Sequence, residues 1–241
     1  MEGDQPQMAK NIFLTGTKGS GKSTILREIL FPYRQLLGGY YVQRVTDPHS
    51  GRLAFRILDI STDPYYLLNV SETHVPQPNT HVPQSNTHVS QTNNLIPQSN
   101  TQIPQPETPI PHHYPGDIIA VTAWENSSAQ TTPRKKGLTV FPDALERRGV
   151  EILKAARNKK IILMDELGRF ELLAPRFSET VFTVLQNSLP VIGVLKKERN
   201  PFIDQISLRY ARQILDLDCL TPEYIKEQLT LFLETAATSL T

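Results

Sequence analysis

Apolar residues in this chain come in short runs, each followed by a stretch with helical periodicity. Ile12-Phe13-Leu14, Ile161 to Met164 and Val191 to Leu195 are all apolar, the pattern of parallel strands buried on both faces. The spacing predicts helices over Lys22 to about Leu36, from Asp143 as N-cap to about Asn158, over Ser178 to Asn187 and Phe202 to Gln213, and from Pro222 onward. Further strands are predicted over Tyr40 to Val45, Leu53 to Asp59, Asp117 to Trp124, Leu138 to Phe141 and Ile214 to Leu217. Asp47-Pro48-His49-Ser50-Gly51 reads as a hairpin turn between the first two of these. Strands alternating with helices predict an α/β fold, a three-layer α/β/α sandwich on a mostly parallel sheet, with ligands at the strands' carboxyl ends.

One region breaks the pattern. No Lys or Arg occurs between Arg56 and Arg134, and within that gap a seven-residue unit recurs from Thr73 (THVPQPN, THVPQSN, THVSQTN, NLIPQSN, TQIPQPE, TPIPHHY). The period invites a coiled coil, but proline in most units removes helical hydrogen bonds and clashes with the preceding turn. One or two apolar residues per unit bury too little surface to offset the entropy of ordering. Residues 73–115 are therefore expected to be a disordered Pro/Gln/Asn/Thr insertion within a single domain spanning 1–241. His74, His81 and His88 follow the repeat period, which accounts for their spacing without a metal. A tether for a partner that its sequence does not name is a second reading of the insertion.

Composition adds exclusions. With 20% charged residues and a net charge of +1 among 241, no basic excess points to nucleic acid. No apolar stretch reaches the roughly 18 to 20 residues that span a bilayer, so no membrane partner is expected. The polar first residues offer no secretion signal, and a lone cysteine, Cys219, excludes an intramolecular disulfide. Both fit the reducing cytoplasm, with Cys219 expected to be inert and half-buried.

The first apolar run leads into Gly16-Thr17-Lys18-Gly19-Ser20-Gly21-Lys22-Ser23-Thr24, which is G-x-x-x-x-G-K-[ST] between a strand and a helix. Glycines let the backbone turn tightly and approach a polyphosphate, and successive N–H groups then point at its oxygens from the positive end of the helix dipole. Lys22 is placed to bridge the β- and γ-phosphates, Ser23 to ligate Mg²⁺ and Thr24 to reach the α-phosphate. A nucleoside triphosphate is the expected ligand and Mg²⁺ the expected cofactor of this P-loop.

Such a loop requires a carboxylate at the end of a neighbouring strand. Ile161-Ile162-Leu163-Met164 delivers Asp165 to the sheet edge as a metal ligand, and Glu166 follows as a base able to deprotonate water. Met164-Asp165-Glu166-Leu167-Gly168-Arg169-Phe170-Glu171 resembles the Asp-Glu-Ile-Gly-Lys-Met-Glu signature of the small P-loop nucleoside-triphosphatases of thermophilic bacteria and archaea, whose animal member is the cancer-related nucleoside triphosphatase. Gly39-Tyr40-Tyr41, Arg52-Leu53-Ala54-Phe55, Pro201-Phe202-Ile203 with Ile206, and Leu220-Thr221-Pro222-Glu223 resemble further family stretches. The resemblance covers about Asn11 to Ile60 and Leu138 to Gln228. It implies a P-loop NTPase fold with a RecA-like or kinase-like core, and Mg²⁺-dependent hydrolysis of ATP, GTP and other nucleoside triphosphates with broad base preference. Two departures stand out. Val194-Leu195-Lys196-Lys197 replaces the family's Thr-Val-His-Arg, and Arg169 replaces its Lys. Arg169 and Lys196 are candidate neutralisers of transition-state charge.

The catalytic set read from the sequence is Lys22, Glu166 and Arg169, with Ser23 and Asp165 on the metal. A P-loop kinase shares all but the acceptor, and a nucleotide-dependent binding module shares all but turnover. No Asn-Lys-x-Asp guanine-reading motif occurs, so a regulatory GTPase is not expected.

Overall fold

The structure, a computed structural model, describes residues 10–46, 53–63, 67, 116–124 and 135–238. Contacts divide the chain into one unit of residues 1–69 and 113–241 and another of residues 70–112. All the described elements belong to the first. The predicted turn at 47–51 and the repeat at 73–115 lie outside the described residues.

A single sheet of eight strands organises the first unit, in the order β5-β4-β3-β2-β6-β7-β1-β8. β1 (Asn11–Thr15), β2 (Leu37–Thr46), β6 (Ile161–Leu167), β7 (Val191–Leu195) and β8 (Ala211–Asp216) form its parallel part. β3 (Leu53–Asp59), β4 (Ile118–Trp124) and β5 (Lys135–Val140) extend it antiparallel from β2.

The short apolar runs have the expected cause. On β1, Ile12 and Leu14 join one core cluster while Phe13 joins the other, so alternate side chains bury on opposite faces. β6 divides the same way, with Ile161 and Leu163 on one side and Ile162 and Met164 on the other. α1 (Lys22–Leu30) and α6 (Pro222–Thr238) cover the face of Ile12 through Ile25, Leu26, Leu30, Ile225, Leu229 and Leu233. The other face is covered by α2 (Pro142–Ala144), α3 (Val150–Ala155), α4 (Pro175–Gln186) and α5 (Pro201–Arg209). Each fully buried aliphatic or Phe side chain contributes about 1.5–3 kcal/mol, so two such faces give the parallel strands a firm seat. The architecture is the expected α/β/α sandwich on a mostly parallel sheet.

Several boundaries differ from expectation, each for a local reason. α1 stops at Leu30 and continues to Leu36 as a 3₁₀ stretch, because Pro32 has no N–H for the next α-helical bond. Asp143 is not the N-cap: Phe141 holds that position and Pro142 takes the first turn, leaving Asp143 inside the helix beside its positive end. That segment passes through a π-helical turn, Leu145–Gly149, before α3, and ends in a 3₁₀ turn at Ala156–Asn158. α4 begins at Pro175 rather than Ser178. α5 ends at Arg209, and Ala211 to Gln213, expected as helix, open β8 instead. Cys219 is exposed, not half-buried, because the turn after β8 carries it outward. No helix among the described residues is long and apolar enough to cross a membrane.

Candidate active site

All the sequence-predicted site residues gather at one edge, because β1, β6, β7 and β8 run parallel and end together. The loop after β1 turns through Gly16, Gly19 and Gly21, with φ of 143°, 86° and 94°. At Gly16 the requirement is also steric, since a Cβ would stand 2.8 Å from Ser20 Oγ and 3.2 Å from Leu217 Cβ. α1 then starts with Gly21 as N-cap, without a side-chain cap or an acidic residue in its first turn. Its leading N–H groups and positive dipole end are thus left for an anion.

Lys22 folds back over this loop. Its Nζ donates to Gly16 O and Thr17 O, both at 2.8 Å, and to Ser20 Oγ at 3.2 Å. The cation therefore occupies the cradle that the loop forms. Lys18, Gly19 and Thr24 are exposed at its rim, while Ser23 is half-buried in the first turn of α1.

Asp165 and Glu166 sit at the end of β6, where the register against β7 shifts between Met164 and Leu167. Asp165 is 6% exposed and pairs in register with Tyr41 of β2. Strand alternation puts it on the side of Ile161 and Leu163, the side that α1 covers. Glu166 is half-exposed, and its Oε1 lies 3.6 Å from Lys196 Nζ just beyond β7. With both partners about 40% exposed, this pair is worth only about 0–1 kcal/mol and exchanges readily for a stronger anion. Lys196 Nζ also lies 5.6 Å from the centre of the Phe170 ring. Arg169 lies 5.8 Å over that ring, solvent-exposed, and among the described residues no ion pair links it to the loop or to Glu166.

Glu171, the last acid of the signature, is 4% exposed and accepts the Gly168 N–H at 2.8 Å. Burial pushes its carboxyl up to about 7, against the pull of its backbone hydrogen bonds. It holds the turn after β6 rather than facing solvent.

Two further residues brace the loop, in a role that the sequence did not signal. Asp218, past the end of β8, accepts the Thr17 N–H at 2.9 and 3.1 Å and the Thr17 hydroxyl at 3.0 Å. Lys197 Nζ ties it to β8, donating to Asp218 at 2.8 Å and Asp216 at 2.9 Å. The Lys197 bond chiefly holds the Asp218 carboxyl below its usual range, and for Asp216 the Asp218 N–H leads, with Lys197 next. A shallow depression of about 360 Å³ opens alongside, walled by Thr15, Leu195, Lys196, Ile203 and Ile214.

Ser23 and Asp165 carry hard oxygen atoms of the kind that divalent cations take as ligands. Among the described residues no group of three or more His, Cys, Asp or Glu could by itself hold a metal ion.

The family model described as NTPase matches residues 11–102 and 119–230. Nucleoside-triphosphatase THEP1 of Thermotoga petrophila is 36% identical over 75 residues, which are 31% of this chain and 42% of that protein. The chain thus spans less than half the length of this relative. THEP1 of Saccharolobus solfataricus is 24% identical over 204 residues, 82% of each chain. The crystal structure of THEP1 from Aquifex aeolicus superimposes with a TM-score of 0.52 at 17% identity, covering 91% of this chain and 96% of that one. The solution structure of a human cancer-related nucleoside triphosphatase does so with a TM-score of 0.52 at 14% identity, covering 96% and 99%. At these identities the structures speak for the fold alone, but the family match takes in both the glycine loop and the Asp165-Glu166 corner, and the chain belongs to the NTPase family.

Proposed function

We propose that this protein is a nucleoside-triphosphate phosphohydrolase, releasing phosphate from ATP, GTP and other nucleoside triphosphates with broad base preference and with Mg²⁺ as cofactor. The observation that carries this reading is the convergence of the Lys22 loop, Asp165 and the half-exposed Glu166 at one sheet edge. Lys22 leaves the loop carbonyls for the β- and γ-phosphates, and the N–H groups of Gly19 to Thr24 bind the same oxygens. Ser23 and Asp165 hold Mg²⁺, which when bound offsets charge on the phosphates. Lys196 moves from Glu166 to the γ-phosphate, freeing Glu166 to orient a water and take its proton. Arg169, exposed beside Phe170, is the second cation available to the transition state.

One continuous sheet supports a single catalytic domain, with 73–115 as an insertion in it. A lone exposed cysteine is consistent with a cytoplasmic setting.

The test is phosphate release from ATP, GTP, CTP and UTP with Mg²⁺, by the wild type and by Glu166→Gln. The variant is expected to lose about 100-fold or more in turnover while still binding nucleotide. Equal turnover in both proteins removes Glu166 from the mechanism. ADP formation that depends on an added acceptor would make the protein a kinase.

A further inference from the structure

Asp218 reaches the glycine loop from the turn after β8, and backbone contacts set its place there. β8 ends beside β1, where Thr15 pairs with Asp216 and the Leu217 N–H donates to Thr15 O at 3.0 Å. The turn that follows is closed by the Asp218 N–H, which donates to Asp216 Oδ1 at 3.0 Å, and by the Cys219 and Leu220 N–H groups, which donate to Asp216 O. It lies against the start of the loop. A Cβ on Gly16 would stand 3.2 Å from Leu217 Cβ and 3.4 Å from Asp218 Oδ1.

Two opposite charges hold one peptide unit. The bond between Gly16 and Thr17 carries a carbonyl oxygen and an N–H on opposite sides of a single plane. Gly16 O accepts from Lys22 Nζ at 2.8 Å, and the Thr17 N–H donates to Asp218 Oδ2 at 2.9 Å and Oδ1 at 3.1 Å. The carbonyl is thereby directed at the ammonium group and the N–H away from it. The carboxylate is fixed in turn, since Lys197 Nζ donates to Oδ2 at 2.8 Å and the Thr17 hydroxyl to Oδ1 at 3.0 Å. Hydrogen bonds to ionised partners are the stronger kind, and each polarises the peptide in favour of the other.

We propose that Asp218, steadied by Lys197, is a positioning residue that clamps the Gly16–Thr17 peptide and so presets the glycine loop for a polyphosphate. The inference rests on the nucleotide-binding part of the hydrolytic reading above. From Gly16 to Gly21 the loop has six residues, three of them glycines at positive φ. Glycine loses more freedom on ordering than any other residue, and a ligand meets that cost on binding unless the loop is ordered beforehand. Weakening the clamp also loosens Gly16 O from Lys22, which makes the lysine easier to draw away. That gain concerns one side chain and the loss concerns a run of backbone, so affinity should fall.

Asp218→Asn and Asp218→Ala both remove the charge, so the difference between them reads the clamp alone. In Asp218→Asn the amide oxygen takes the place of Oδ2, accepting from the Thr17 N–H and Lys197, and the NH₂ donates to Thr17 Oγ1. Calorimetric titration with Mg²⁺ and the β,γ-imido analogues of ATP and GTP should show Asp218→Ala binding both about fivefold more weakly than Asp218→Asn. In turnover the difference should fall on KM, with kcat within about twofold between the two variants, because the clamp serves bound substrate and transition state alike. Three results overturn the proposal: affinities within about twofold of each other, a difference carried by kcat, or a loss confined to one base, which would make Asp218 a base contact. A brace that merely stabilised the fold would lower the melting temperature of Asp218→Ala and leave the two affinities equal. If the wild type binds the analogues but releases no phosphate, the hydrolytic reading fails and the titration still decides the role of Asp218. If the wild type binds neither analogue, both fall.

Discussion

Replacing Glu171 by Gln should stabilise the protein at pH 8 and do so by only about a quarter as much at pH 5. Burial raises the Glu171 carboxyl from the ordinary 4.5 to about 7. The folded protein thus keeps this proton up to about pH 7, while the unfolded chain releases it near 4.5. The unfolded state binds fewer protons throughout that window, so stability falls as pH rises through it and levels off above. At about 1.4 kcal/mol per pH unit the loss amounts to ~3 kcal/mol at pH 8. Glutamine retains the shape of the neutral acid and an oxygen for the Gly168 N–H, but has nothing to ionise. Urea unfolding followed by circular dichroism at both pH values reads the difference. With a slope of about 3 kcal/mol per molar, the variant's midpoint should rise by about 1 M at pH 8. A variant no more stable than the wild type at pH 8, or one whose advantage is equal at the two pH values, refutes the assignment of a buried, neutral-leaning carboxyl.

Lys22→Ala should reduce phosphate release by about 100-fold or more, because its ammonium group lies in the glycine loop, bonded to Gly16 O and Thr17 O; release-assay rates above a tenth of the wild type would contradict this. Asn11→Ala should cost about 2 kcal/mol in chemical unfolding, since the Asn11 side chain donates to Leu185 O and Tyr210 O, both at 3.0 Å, and the change strands two carbonyls. Deleting residues 73–115 should leave phosphate release within about twofold of the full chain, as expected of a segment whose composition builds no core; collapse of turnover would show that the repeat participates.

What could be read from the sequence follows from how local each signal is. β1, β6 and β7 are legible because alternate side chains bury on opposite faces, which forces unbroken apolar runs. β8 borders the sheet beyond β1 and exposes Arg212 and Ile214, so its opening residues are indistinguishable from the end of a helix. The glycine loop is legible because its chemistry occupies consecutive residues. The hold on its first turn is not, since Asp218 lies 201 residues from Thr17 and only the parallel ends of β1 and β8 bring them together. Asn200 illustrates the same limit at short range: it caps α5 by accepting the Ile203 N–H at 2.9 Å, a role that Pro201 and Phe202 beside it do not reveal. Glu171 reads in sequence as the last acid of the signature, and only the packing of α4 against the turn after β6 reveals it as enclosed.

The posture of Lys22 bears on which anions the protein ignores. With its ammonium group bonded to Gly16 O, Thr17 O and Ser20 Oγ, Lys22 already has an acceptor for each of its three donors. An incoming ligand must supply at least as many acceptors to draw the lysine away. Orthophosphate or a nucleoside monophosphate brings one phosphoryl group and gains little by the exchange. A triphosphate spans both the lysine and the N–H groups at the start of α1, so the exchange favours it strongly. On the hydrolytic reading, a lysine held in this way would favour a long polyphosphate over a short one before any base is met.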